Sequence, residues 1–348
     1  MSSANPRRSH WLILGRVLIL ALIAAAFIRS KLLPSFLDPY GLLFVLAGGA
    51  ALGMISYSGA EILRALRHAS GMNGPDAEIR NSIHFWEAAG RSFWMLGVLH
   101  SVLSLIIAFA AMAFMEVNQT WIVNTVARLM LTTFYGLLLA VICIVPCWKL
   151  KGELRSRQPA PNSDQGAISV PTVLPGWRFG AVFGYVLFLS VIVVTVLKFP
   201  TPNLWGMLSF MVHWPALLIV LGGAVAIMLF VGGGNSELTL STAFACMGFI
   251  GALIGCIQAM FGFGMGSFGG PKSIYNLALG VAFVLESCFA GLLGMLLVGA
   301  PLEDRAIRTG RIAEPAAVSR VSWYVFPLLA MIFLILAFLM LTAPLPKR

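Results

Sequence analysis

Charge is what this sequence has least of. Asp, Glu, Lys and Arg make up 10% of its 348 residues, and only 13 of them are acidic. A soluble domain carries about 25% charge to cover its exterior, so that class is excluded. In its place 59% of the residues are hydrophobic and the mean hydropathy is +0.92. Lipid is the solvent for such a chain. The apolar runs are long and continuous rather than short and alternating, which excludes a β-barrel. Cysteine is scarce too: Cys143, Cys147, Cys246, Cys256 and Cys288 all fall inside apolar runs with no His or Asp clustered around them. That excludes a disulfide framework and a metal site. No nucleophile–base pairing stands out, so neither an enzyme nor a bound cofactor is expected. The net charge of +10 is scattered over the connections between runs, which argues against nucleic-acid binding.

What is present is a series of spans. With ~20 apolar residues needed to cross a bilayer, nine can be drawn, at 11–29, 40–60, 93–115, 121–147, 178–198, 206–231, 240–262, 274–299 and 321–343. Lys and Arg in alternate connections divide sixteen to six, with Arg128 left inside a span. The richer side holds Arg64, Arg91, Lys149, Lys151 and Arg305; by the positive-inside rule it is cytoplasmic. The N-terminus is then cytoplasmic and the C-terminus periplasmic. The polar stretch RSRQPAPNSDQGAIS reads as a linker.

Two stretches repeat one layout. NTVARLMLTTFYGLLLAVICIVPCWKLK (124–151) and VAFVLESCFAGLLGMLLVGAPLEDRAIR (281–308) align Gly136 with Gly291 and Pro146 with Pro301, a spacing of 155 residues in both cases. GLLFVLAGG (41–49) resembles ALLIVLGGA (216–224), and LGVLHSVLS (96–104) aligns with MGFIGALIG (247–255). Three landmarks recur in order, and an even number of spans per half makes the repeats parallel. Gly48, Gly49, Gly222, Gly223, Gly136 and Gly291 are expected to pack helices closely, as do the pairs Gly180/Gly184 and Gly251/Gly255.

The run TTFYGLLLAVICIVPCWKLK resembles the last transmembrane helix of channel subunits in the MotA/TolQ/ExbB proton-channel family, with its Thr-Thr pair, Tyr-Gly step, Leu-rich run, proline and basic end. The stretches at 96–106 and 247–257 are similar to the preceding helix, and Asp38-Pro39 also fits. The resemblance covers about 36–157 and 206–312. It implies a homo-oligomeric ring around a single-span partner of the MotB/ExbD type, which supplies the titrating Asp. It places the channel hydroxyls on Ser101, Thr132 and Thr133, with Ala252, Ser287 and Cys288 as second-half counterparts. The family's proline at the start of the third helix is replaced by Trp94 and Ala245. The long cytoplasmic loop is reduced to about 61–92 and 232–239, which argues against a rotor-driving role. Hydroxyls suit an ion path because they accept from and relay protons at little cost in lipid. Back-bonding to the i−4 carbonyl is the plainer role for any one of them.

Two charges fall inside spans, Arg128 and Glu286. Glu286 lies one turn deeper than the slot equivalent to Arg128, and about 200° around the helix from Cys288. A structural Arg128–Glu286 pair is expected rather than an ion-carrying glutamate. His100, beside Ser101, reads as a packing residue.

The chain is thus expected to be an all-α polytopic membrane protein of about nine transmembrane helices. Residues 1–157 form a first four-helix MotA/ExbB-like repeat, 158–177 a cytoplasmic linker, 178–312 a second parallel repeat and 313–348 an additional helix. The leading reading is a channel or scaffold subunit of a proton- or sodium-driven complex in a bacterial inner membrane, in contact with lipids. The alternatives are a non-conducting assembly or anchoring subunit and a small-solute transporter working between the repeats.

Overall fold

The computed structural model describes residues 38–72, 74–114, 119–157, 177–197, 214–231, 236–264, 271–308, 323, 325–330 and 332. The expected span 11–29, linker residues 158–176 and most of 321–343 lie outside the described residues. Residues 1–39 form a unit of their own, and the packing below belongs to the unit from Tyr40 onward.

The described residues are helical and contain no strand. In order they form α1 (Pro39–Ser56), α2 (Gly59–Ala69), α3 (Asp76–Phe114), α4 (Gln119–Arg157), α5 (Trp177–Leu197) and α6 (Trp214–Leu217). A π-turn, Leu218–Gly222, joins α6 to α7 (Gly223–Val231); then come α8 (Ser236–Gly264) and α9 (Pro271–Gly294). A second π-turn, Met295–Gly299, leads from α9 into α10 (Ala300–Arg308). Six helices among the described residues are long and apolar enough to cross a membrane; Trp214–Ile227 is apolar but shorter. This is a multi-pass helical membrane protein.

The expected spans 93–115 and 121–147 turn out to be parts of longer helices. α3 and α4 have 39 residues each, or about 58 Å at 1.5 Å per residue, nearly twice the hydrocarbon thickness. Their charged ends, 76–92 and 148–157, therefore project beyond it. The connection expected over 61–92 is itself mostly helix.

Local chemistry explains that connection. Ser58 caps α2: its Oγ accepts from Glu61 N at 3.3 Å, and Glu61 Oε2 accepts from Ser58 N at 2.7 Å. This is a capping box, two otherwise unsatisfied donors answered by one Ser-x-x-Glu pair. α2 ends at Gly71, whose φ of 103° suits a residue without Cβ. There Met72 N donates to Arg67 O and Gly71 N to His68 O, the Schellman pattern. Pro75 O then accepts from Glu78 N and Ile79 N to start α3. The basic end of α4 docks on this turn, Lys149 Nζ donating to Ala69 O at 2.9 Å and Arg157 Nη1 to Gly74 O at 2.7 Å. Cations at a helix C-terminus complement its dipole.

Two close crossings organise the membrane part. A Cβ on Gly97 would lie 3.1 Å from Gly136 Cα, and one on Gly248 would lie 3.1 Å from Gly291 Cα. α3–α4 and α8–α9 therefore cross glycine on glycine. Gly48 of α1 faces Leu96 of α3, and Gly223 of α7 faces Met247 of α8. Gly49 lies against Phe93, and a Cβ on Gly184 of α5 would meet Ala51 O at 2.6 Å. Gly222 departs from expectation. It is exposed, and no described atom stands within 4 Å of where its Cβ would be. The alignment above sets it opposite Ala47, one step off the packing face.

α3 is the central helix, with 78% of its apolar span buried, whereas α5 is peripheral at 22%. α3 packs against α4 on one side and α9 on another.

Candidate functional site

Ser101 on α3 and Thr133 on α4 flank the Gly97–Gly136 crossing, one turn beyond Gly97 and one turn before Gly136. With no side chains in the crossing, the backbones come close enough for the hydroxyls to meet. Ser101 Oγ lies 2.7 Å from Thr133 Oγ1 and 3.0 Å from Gly97 O; Thr133 Oγ1 is 3.5 Å from Gly97 O. Ser101 is 1% exposed and Thr133 6%.

Each hydroxyl has one proton, so among these three oxygens two donor orders can be drawn. In one, Ser101 donates to Gly97 O and Thr133 donates to Ser101. In the other, Ser101 donates to Thr133, which donates weakly to Gly97 O. The same oxygens serve both, so a proton order can reverse without the backbone moving. Both orders end on Gly97 O, so the exchange reorients the hydroxyls without carrying a proton past them. The i−4 bond to Gly97 O is also the plain helical role of a buried serine; here the two coincide.

Thr132 is fully buried beside the pair, and its carbonyl would lie 3.0 Å from a Cβ on Gly97. His100 points elsewhere. Its Nδ1 is 3.4 Å from Ser104 Oγ and its ring meets the Phe44 ring edge-on at 4.6 Å, a packing arrangement. In the second half Ala252, Ser287 and Cys288 are all buried. Ser287 Oγ presses against Gly251, 2.5 Å from where a Cβ would be, and makes no hydrogen bond among the described residues. The positions aligned with Thr133 and Ser101 hold Cys288 and Ala252, so no such hydroxyl pair spans the second crossing among the described residues. Phe326 fills it instead, against both Gly248 and Gly291. Glu286 is 3% exposed. Arg128, its expected partner, lies outside the described side chains.

The strongest polar cluster escaped the sequence. At the charged end Arg91 Nη2 of α3 pairs with Asp304 Oδ1 of α10 at 2.8 Å, their side chains 14% and 7% exposed. The Arg91 guanidinium also lies over the Trp323 ring at 4.9 Å. The Trp323 indole Nε1 donates to Glu303 Oε2 at 3.1 Å. Counting charges in connections treats Arg91 as an orientation signal only. The one sequence cue was the adjacent acidic pair Glu303-Asp304, two residues after Pro301. A groove of about 300 Å³ opens between α1, α2 and α3, lined by Gly49, Tyr57, Ile62, Trp86 and Phe93, with Asp304 in its wall. It lies beside the first crossing and not between the two hairpins.

A model of the MotA/TolQ/ExbB proton channel family matches residues 58–158. The matched segment is α2, α3 and α4, and so contains Ser101, Thr132 and Thr133. Comparison with curated proteins and with solved structures finds no match.

Proposed function

We propose that this chain is a channel-type subunit of an ion-driven membrane complex, with the Ser101–Thr133 pair on its ion path and a single-span partner supplying the titrating carboxylate. The observation that carries the reading is the 2.7 Å hydroxyl pair inside the segment that matches a proton channel family. A hydroxyl relay needs a group that takes up and releases the proton, and the match of this segment to a proton channel family supports a partner as its source.

An internal duplication is part of the proposal. Its support is geometric: the aligned glycines Gly97/Gly248 and Gly136/Gly291 make the same crossing, and the aligned pairs Gly48–Leu96 and Gly223–Met247 make the same contact. One chain would then contribute two hairpins to an assembly, of which only the first keeps the hydroxyl pair across its crossing.

A non-conducting assembly subunit is the second reading. The near-complete burial of Ser101 and Thr133 favours it, because a path needs access from both sides. The two are separated by purifying the intact complex from native membranes in nanodiscs and reconstituting it for proton and sodium flux. A co-purifying single-span protein, with flux that drops at least tenfold in Ser101→Ala and Thr133→Val, supports the channel. An assembled complex whose ion leak is the same in wild type and both variants overturns it.

A further inference from the structure

Pro301 has no N–H to donate to the carbonyl four residues earlier, Leu297 O. An unanswered carbonyl in lipid costs several kcal/mol, so the site of that carbonyl matters. It lies in the π-turn Met295–Gly299, where the helix already departs from i→i+4 bonding. Single π-turns of this kind recur at functional sites and kinks. Its counterpart Pro146 sits in α4 without such a turn. Leu297 O takes a donor from outside its helix: Tyr185 Oη on α5 donates to it at 2.9 Å. On the other side Ser241 Oγ of α8 is buried, makes no hydrogen bond among the described residues, and presses against Gly299. The turn therefore sits between one hydroxyl that holds a carbonyl and one buried hydroxyl that bonds nothing among the described residues.

Beyond the turn, α10 carries Glu303 and Asp304. Both are tied off, Asp304 to Arg91 of α3 and Glu303 to Trp323. α10 is a short arm fixed at its root by a phenol and along its length by an ion pair. The π-turn and Pro301, which has no N–H to donate, lie at its root.

We propose that the π-turn Met295–Gly299 with Pro301 is a hinge, and that Tyr185 and the Arg91–Asp304 pair latch the α10 arm to the rest of the bundle. Release would swing Asp304 out of the wall of the groove beside the first crossing, joining a change in the second half to the first. This goes beyond the channel reading and stands without it, because it concerns movement of α10 and not conduction.

The test is amide hydrogen exchange of the full chain in lipid nanodiscs, comparing peptides over 295–308 with peptides over 97–107 and 131–136. Tyr185→Phe keeps the ring and removes one hydrogen bond, so exchange over 295–308 is expected to rise about fivefold with the first hairpin unchanged. Pro301→Ala gives Leu297 O its own donor, and in that background Tyr185→Phe is expected to have no effect. Asp304→Asn is expected to raise exchange in the arm at least tenfold, again with the first hairpin unchanged. An unchanged arm in Tyr185→Phe overturns the proposal. So does an equal Tyr185→Phe effect with and without Pro301. Loss of protection in both hairpins together on Asp304→Asn likewise overturns it, since the pair would then be core and not a latch.

Discussion

The crossing at Gly136 gives the sharpest quantitative expectation. A Cβ added there would stand 2.6 Å from Phe93 O and 2.9 Å from Gly97 Cα. Ordinary contact begins near 3.4 Å, so α3 and α4 must part by about 0.8 Å. Both obstacles are backbone, and no side chain can rotate aside. The Ser101–Thr133 bond spans the same crossing and would stretch from 2.7 Å to about 3.5 Å, the limit of a hydrogen bond. Gly136→Ala is therefore expected to cost about 2–3 kcal/mol from overpacking and about 1 kcal/mol from the weakened bond. Gly152, on the same helix, is the control: it is exposed and a Cβ there meets nothing within 4 Å. Gly152→Ala is expected to stabilise by about 0.5–1 kcal/mol, because alanine loses less backbone entropy in a helix. The assay is reversible unfolding of both variants in mixed micelles. Equal stabilities for Gly136→Ala and Gly152→Ala would refute the close crossing, and with it the geometry of the hydroxyl pair.

Further expectations follow from the same contacts. Gly223→Ala brings a Cβ to 2.0 Å from Met247 Cε, a worse overlap than at Gly136, yet it should cost less than 1.5 kcal/mol in the same assay because the methionine tip can turn away. Ser58→Ala removes the capping box of α2 and should cost about 1 kcal/mol, visible as faster exchange confined to 59–69. Lys149→Met removes the cation bonded to Ala69 O and should raise exchange only over 66–75, with global stability changed by under 1 kcal/mol.

How much of this was legible in the sequence follows from what kind of signal each feature leaves. Apolar length marks a span directly, because a bilayer fixes how many residues must be apolar. Length does not mark where a helix stops, and α3 and α4 continued into charged sequence with nothing to end them. Gly71 does end α2, and Ser58 begins it, through local caps that span counting does not read. Ser101 and Thr133 were singled out separately by family resemblance, and only the glycine crossing shows that they touch. Gly222 and Gly223 look alike as letters; one residue of rotation puts the first on the outside and the second against Met247. Tyr185 and Leu297 are 112 residues apart and carry no pattern that pairs them. Arg91 and Asp304 are 213 apart, and charge counting by connection had already given Arg91 another purpose.

Why a chain so short of charge should bury an ion pair at all can be settled by removing it whole. Taking Arg91 and Asp304 out of water costs several kcal/mol for each ion, and the attraction between them returns that only in part. Leaving one behind is worse: Asp304→Leu strands a guanidinium whose side chain is 14% exposed, and the expected loss is about 3–5 kcal/mol. Arg91→Met together with Asp304→Leu removes both charges, keeps volume, and leaves Trp323 an apolar neighbour. That double variant is expected to unfold within about 1 kcal/mol of wild type, or above it. If it does, the pair contributes little net stability, and its value lies in holding α10 to α3 by an interaction that can be exchanged for water when the arm moves. An apolar replacement has no such exchange, so the double variant should be stable with its arm fixed. If instead the double variant is as unstable as Asp304→Leu, the pair is a structural part of the core and α10 has no second position.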